Sequence, residues 1–164
     1  MSSNYLEESH LFYVDVLDEW VKKNIEPQRV SLSILKDKSL KDKSSESSPH
    51  AIFEPKICDR KKYPDYIARD PHAKLYGNLK NFYLIGEAKT ANDFNDDKKR
   101  KFEQINVYFY HLQKKAKRDN YDTLLLYALP DVLHEQANTI LSQAKKSLDA
   151  KKVNFKVIGR SKIS

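Results

Sequence analysis

Between Leu124 and Leu129 the chain reads as a near-continuous apolar run, with no polar residue to mark a solvated face. A strand of that kind belongs inside a sheet covered on both sides, and such sheets arise where helices pack on both faces. The flanking sequence supplies the helices. From about Asp97 to Arg118, Phe102, Ile105, Phe109, Leu112 and Ala116 recur at steps of three and four residues, the spacing of a single helical face. Pro130 and Asp131 then open a last helix with Leu133, Ala137, Ile140, Leu141, Ala144 and Leu148 inward, and Lys152 to Ile158 offers a closing strand.

The amino-terminal half predicts the rest of the sheet. A helix is expected over about residues 4 to 24, capped by Asn4, with Leu6, Tyr13, Leu17, Trp20 and Val21 on one face. Residues 29–35 alternate Val30, Leu32 and Ile34 against Arg29, Ser31 and Ser33, as a half-buried strand does. The Lys-, Ser- and Asp-rich residues 36–50 carry too little apolar surface to offset the entropy of ordering them. They are expected to form a flexible loop inserted within one domain. Strands follow at 51–57, 63–69 and 81–89, the last two separated by a Pro- and Gly-marked turn region. The order helix, strands, helix, strand, helix, strand predicts an α/β fold with a central mixed β-sheet flanked by α-helices. At 164 residues the chain is expected to form a single domain, 1–164.

Composition narrows the function classes. Thirty Lys and Arg against 23 Asp and Glu give a net charge of +7, which favours an anionic partner such as nucleic acid. Cys58 is the single cysteine, so disulfides within the chain and Cys-based zinc clusters are excluded and a reducing compartment fits. The amino terminus MSSNYLEESH has no basic region leading into an apolar one, and no apolar run reaches the length of a membrane span. A cytoplasmic protein with no membrane partner is expected. With only Gly77, Gly86 and Gly159 present, neither a Walker phosphate loop nor a dinucleotide fingerprint can be written, so no nucleotide cofactor is expected. The histidines at 10, 50, 72, 111 and 134 form no HExxH and no close pair, which argues against a zinc hydrolase.

The chemistry concentrates elsewhere. Glu87, Ala88 and Lys89 close the strand-like run LKNFYLIGEAKT, and side chains two apart on a strand share a face. Upstream, Pro64-Asp65 opens YPDYIA. If that segment pairs beside the later strand, Asp65 comes within a few ångströms of Glu87, and the two carboxylates make an oxygen-rich pocket suited to Mg²⁺. Pro64-Asp65 followed by Glu87-x-Lys89, in this order of elements, resembles the PD-(D/E)xK phosphodiesterases, the restriction-endonuclease-like superfamily. The resemblance covers roughly residues 4 to 129.

The resemblance implies a restriction-endonuclease-like core and a Mg²⁺-dependent DNA endonuclease, with Mn²⁺ as a substitute, acting in restriction or defence, recombination or mobile-element DNA processing. It implies Asp65, Glu87 and the Ala88 carbonyl as metal ligands. Lys89 would orient the attacking water and offset charge at phosphorus, and in-line attack would release a 3′ hydroxyl. Gln104, on the following helix, would hold the water or the lysine. Family members also place a Glu on the opening helix. Glu7 lies about 90° from the centre of the apolar face and Glu8 points away from it, so Glu7 is the candidate.

Lys101, Gln104 and Tyr108 run along one edge of the apolar stripe, near the expected site. Lys99, Arg100, Lys101, Tyr108 and Lys115 are candidate nucleic-acid contacts, which would position duplex or branched DNA without reading its sequence. Specificity would come from loops such as 36–50 and 70–79, from a homodimer or from a partner subunit. Two other classes fit parts of the pattern. One is an inactive nuclease-fold subunit for DNA binding or assembly. The other is a small basic RNA-binding protein with aromatic stacking platforms, for which only Tyr108 and Tyr110 are placed suitably, since Phe102 and Phe109 fall on apolar faces.

Overall fold

The apolar run lies in a strand inside a five-stranded mixed sheet. A computed structural model describes residues 9–36, 51–73, 80–96 and 98–160. In chain order the elements are α1 (His10–Asn24), β1 (Ser33–Lys36), β2 (Tyr66–Asp70), β3 (Phe82–Ala88), α2 (Ala91–Asn95), α3 (Lys98–Arg118), β4 (Asp122–Ala128), α4 (His134–Ser147) and β5 (Val153–Ile158). The strands lie side by side in that order. β1–β2 and β2–β3 are antiparallel, whereas β3–β4 and β4–β5 are parallel. Each parallel pair is joined through helices, as parallel strands require.

Alternation along β3 and β4 divides the core into two layers. Leu84, Leu126 and Ile158 pack with Tyr13, Leu17 and Val21 of α1 on one face. Ile85, Leu125 and Tyr127 pack with Ile105, Phe109 and Leu112 of α3 and Leu141 of α4 on the other. The fold is thus α/β, a five-stranded mixed sheet flanked by helices. Gly86 lies where α1 presses closest. A Cβ there would stand 2.9 Å from the Tyr66 Cβ and 3.3 Å from Leu17 Cδ1, the close approach that glycine within a strand often marks. Gly86→Val is therefore expected to lower stability by about 1–3 kcal/mol in a urea titration, and an unchanged midpoint would contradict this packing.

Several boundaries differ from the sequence expectation, each for a local reason. The helix starts at His10, because Ser9 caps it by accepting the Phe12 N–H at 3.1 Å. Asn4 is not its cap, and Asn4 and Leu6 fall outside the described residues. The strand expected at 29–35 begins only at Ser33. A 3₁₀ turn with Pro27 near its start carries the chain off α1, Val30 is 68% exposed, and Arg29 turns inward over the Phe82 ring to pair with Asp70 at 3.6 Å. Phe102, expected on the buried face of the long helix, is 41% exposed, while Lys101 and Tyr108 are buried. The buried face is therefore rotated toward the site edge. A short helix, α2, was not expected, although Thr90 and Asp93 form a reciprocal capping box at its start.

The strand expected at 51–57 is reduced to an isolated bridge between Ile52 and Lys62. Past Pro55 the chain turns, and the Glu54 carbonyl accepts the N–H groups of Ile57 and Cys58. Side chains instead tie this segment to α3. The buried Glu54 carboxylate meets His111 Nδ1 and Lys114 Nζ, each at 2.6 Å, and Lys62 Nζ lies 3.4 Å from Glu103. Burial pushes the His111 pKa below its ordinary value, against the opposing pull of Glu54. The neutral ring then donates from Nδ1 to Glu54 and accepts the Tyr83 hydroxyl at Nε2, at 3.3 Å. A depressed folded pKa gives stability that is complete above the unfolded histidine value of about 6.5 and is lost as pH falls through the lower folded value. Thermal melts are expected to show this loss between pH 7 and 5, and to show less of it in His111→Gln.

Candidate active site

The register between β2 and β3 sets Tyr66 opposite Gly86. Continued by one residue, it brings Asp65 beside Glu87. Both carboxylates are buried, at 0% and 1% exposure. Each is held by named partners. The Ala88 N–H donates to Asp65 Oδ2 at 2.8 Å, and His10 Nε2 lies 2.9 Å from Asp65 Oδ1. Glu87 Oε1 accepts the Tyr108 hydroxyl at 3.2 Å, and Glu87 Oε2 lies 3.2 Å from Lys89 Nζ. The Lys89 backbone N–H donates to the Ala128 carbonyl at 2.9 Å, which pins the end of β3 to the end of β4.

Electrostatics join these groups into one site. Burial first, then the charges of Glu87 and Asp65, push the hydroxyl pKa values of Tyr108 and Tyr127 well above their ordinary range. The same two carboxylates act on both phenols, so they share one low-dielectric neighbourhood. Both hydroxyls consequently remain protonated donors. Tyr127 stands in register with Glu87 across the β3–β4 ladder, and its buried hydroxyl has no hydrogen-bond partner among the described residues.

A cleft of about 590 Å³ opens over this centre. Glu87, Ala88 and Lys89 line it together with His10, Lys101 and Gln104. Of the residues expected in the site, Glu87, Ala88, Lys89 and Gln104 therefore meet, with Asp65 fixed to Ala88. The Gln104 Oε1 is buried without a hydrogen-bond partner among the described residues. Glu7 and Glu8 lie outside the described residues. Lys36 belongs to β1 and pairs with Asp18 at 3.0 Å. The remainder of the expected flexible loop, and 74–79 of the expected specificity loop, fall outside the described residues.

The expected nucleic-acid contacts divide. Arg100 lines the cleft. Lys101 also lines it but is 7% exposed, with its Nζ on the Phe94 carbonyl and 4.0 Å from the centre of the Phe94 ring. Burial, aided by Lys98 and Lys89, pulls its pKa down. Tyr108 is fully buried on Glu87, so it holds a carboxylate and cannot stack on a base. Lys99 is exposed on α3 away from the cleft lining. Lys115 also lies off the lining, its Nζ 5.6 Å and 5.8 Å from the Tyr83 and Tyr121 ring centres.

Sequence reasoning missed His10 and the Arg60–Tyr63 segment. The signal for His10 was Ser9, a strong capping residue that begins the helix one position before it. The cleft-side role of residues 60–63 was hidden by reading the preceding segment as a strand.

Among the described residues, no three or more His, Cys, Asp or Glu side chains form a group that could hold a metal ion. The donors here are the Glu87 carboxylate and the Ala88 carbonyl of cleft-lining residues and, just beneath them, the Asp65 carboxylate held on the Ala88 N–H, all oxygen and two of them anionic. That set fits Mg²⁺, which takes one or two protein carboxylates and keeps water in its other positions. No family model matches the sequence, and neither does any curated protein or solved structure.

Proposed function

We propose that this protein is a Mg²⁺-dependent DNA endonuclease built on a restriction-endonuclease-like core. One observation carries the reading: the buried Asp65–Glu87 pair, of which Glu87, with Lys89 Nζ 3.2 Å away, lines a cleft with basic walls. Two like charges buried together cost folding free energy, and a cation against a phosphate gives that cost a use. The order of elements and the β1–β4 arrangement support the core assignment.

Asp65, Glu87 and the Ala88 carbonyl would hold the Mg²⁺. The bound ion supplies Lewis-acid polarisation of the phosphate and a more acidic water. The remaining work falls to the chain. Lys89 orients the water and offsets the charge that builds on the phosphorus oxygens. Tyr108 holds the other oxygen of Glu87, which keeps Oε2 turned toward Lys89. His10 and the Ala88 N–H fix the plane of the Asp65 carboxylate. Gln104 lines the cleft, and its side-chain oxygen would accept a hydrogen bond from the water. Cutting both strands of a duplex would most simply use a symmetric dimer or a partner subunit. Restriction, recombination and mobile-element processing are the settings this chemistry serves.

The test is incubation of purified protein with supercoiled plasmid and with branched DNA, each in Mg²⁺, Mn²⁺ or chelator. Cleavage in either metal that ends with chelator is expected. Binding of DNA with no cleavage in either metal would instead favour an inactive subunit on the same fold.

A further inference from the structure

Resting on the nuclease reading, and deepening it, we propose that the cleft takes an unpaired stretch of DNA, with Tyr63 stacking a base beside the scissile phosphate and Arg60, Lys61 and Arg100 holding the neighbouring phosphates.

The cleft walls carry this inference. Arg60, Lys61 and Tyr63, together with Arg100 on α3, line the cleft along with Glu87 and Lys89. Arg60, Lys61 and Arg100 are exposed, and Tyr63 is half-buried. Asp93 and Asp96 also line the cleft. Asp93 is engaged in the capping box of α2, where its side chain accepts the Thr90 N–H. Among the described residues, Tyr63 is the only Phe, Tyr or Trp on the cleft lining. An aromatic ring set among cationic side chains is the arrangement that binds single strands, because every base offers a π-face while the cations follow the backbone.

The wall is braced where it meets the substrate. Lys62, between Lys61 and Tyr63, is bonded through both its backbone N–H and its carbonyl to Ile52, at 2.8 Å each. Its ammonium reaches Glu103 on α3. Lys62 also lines the cleft, but it is buried and its ammonium is engaged by Glu103, so the more accessible Lys61 and Tyr63 are the ones left to meet a ligand. Glu87 lines a space of about 590 Å³, the scale of a small-ligand pocket. A stacked duplex hides its base faces from Tyr63 and meets such a cleft only at its surface. An unpaired strand can enter and present both a base and its phosphate.

The experiment measures fluorescence anisotropy in chelator, with a labelled single-stranded DNA oligonucleotide, its blunt duplex and the matching RNA, followed by cleavage of each in Mg²⁺. Single-stranded DNA is expected to bind roughly tenfold tighter than duplex. Tyr63→Ala should weaken that binding about 5- to 150-fold, with Tyr63→Phe restoring it. Arg60→Ala and Lys61→Ala should each reduce the salt dependence of log affinity by about 0.7. Circular dichroism melts of the variants are expected to match wild type. Equal or tighter binding of duplex, equal binding of RNA, or a Tyr63→Ala variant with wild-type affinity would overturn the proposal. Because binding is read without metal, its failure is distinct from that of the nuclease reading. Duplex cleavage without preference would sink the strand preference and keep the nuclease, whereas single-strand binding without Mg²⁺ cleavage would do the reverse.

Discussion

Lys89→Met is expected to lower the single-turnover cleavage rate about 10²–10³-fold, the usual loss when one charge-stabilising group leaves a preorganised site. DNA affinity and fold should change little. The backbone of Lys89 is held by Ala128 whatever the side chain, and methionine retains the length and the apolar stem. The lost ion pair leaves Glu87 with its Tyr108 hydrogen bond, so the carboxylate is not stranded. Lys89→Arg should not restore the rate, since a planar fork cannot replace a compact ammonium beside one water. A Met variant cutting within threefold of wild type would reduce Lys89 to the partner in a strand-end ion pair.

Phe109→Ala is expected to be the most damaging single truncation in the core, costing about 3–5 kcal/mol. Phe109 is fully buried in the layer between the sheet and α3, and it meets Phe155 edge-on with ring centres 6.1 Å apart. For a domain of this size the melting temperature should fall by roughly 10 °C. Activity should fall with it at assay temperatures near the new midpoint, because α3 also carries Gln104 and Tyr108. A loss below 1 kcal/mol in urea titrations would mean that α3 is not packed as described.

The sheet was legible wherever periodicity was strong. The run at 124–129 and the segment ending in Glu87-Ala88-Lys89 became neighbouring central strands because neither has a face fit for water. The edges were harder to read. Val30 continues the alternation of the first strand, yet Pro27 and the inward turn of Arg29 decide the backbone there, and neither leaves a periodic trace. Phe102 fits the helical stripe, but the stripe rotates because Tyr108 serves Glu87 and Lys101 caps the Phe94 carbonyl. Those are tertiary demands, invisible to a count of apolar steps. The juxtaposition of Asp65 with Glu87 could be foreseen only on the condition that two segments paired, and the observed register meets that condition. His10 could not be foreseen from its spacing to the acids, since 54 residues lie between it and Asp65 in the chain and only the fold closes that distance.

The most direct measurement compares plasmid cleavage in Mg²⁺ by wild type and by Glu87→Gln, purified side by side. Glutamine keeps the shape and an acceptor for the Tyr108 hydroxyl while removing the charge that would hold the metal. The account predicts cleavage by wild type that chelator abolishes, and only chelator-level background from the variant. Equal cleavage by both proteins, or none by wild type on any DNA, would contradict the assignment of Asp65, Glu87 and Lys89 as a nuclease centre.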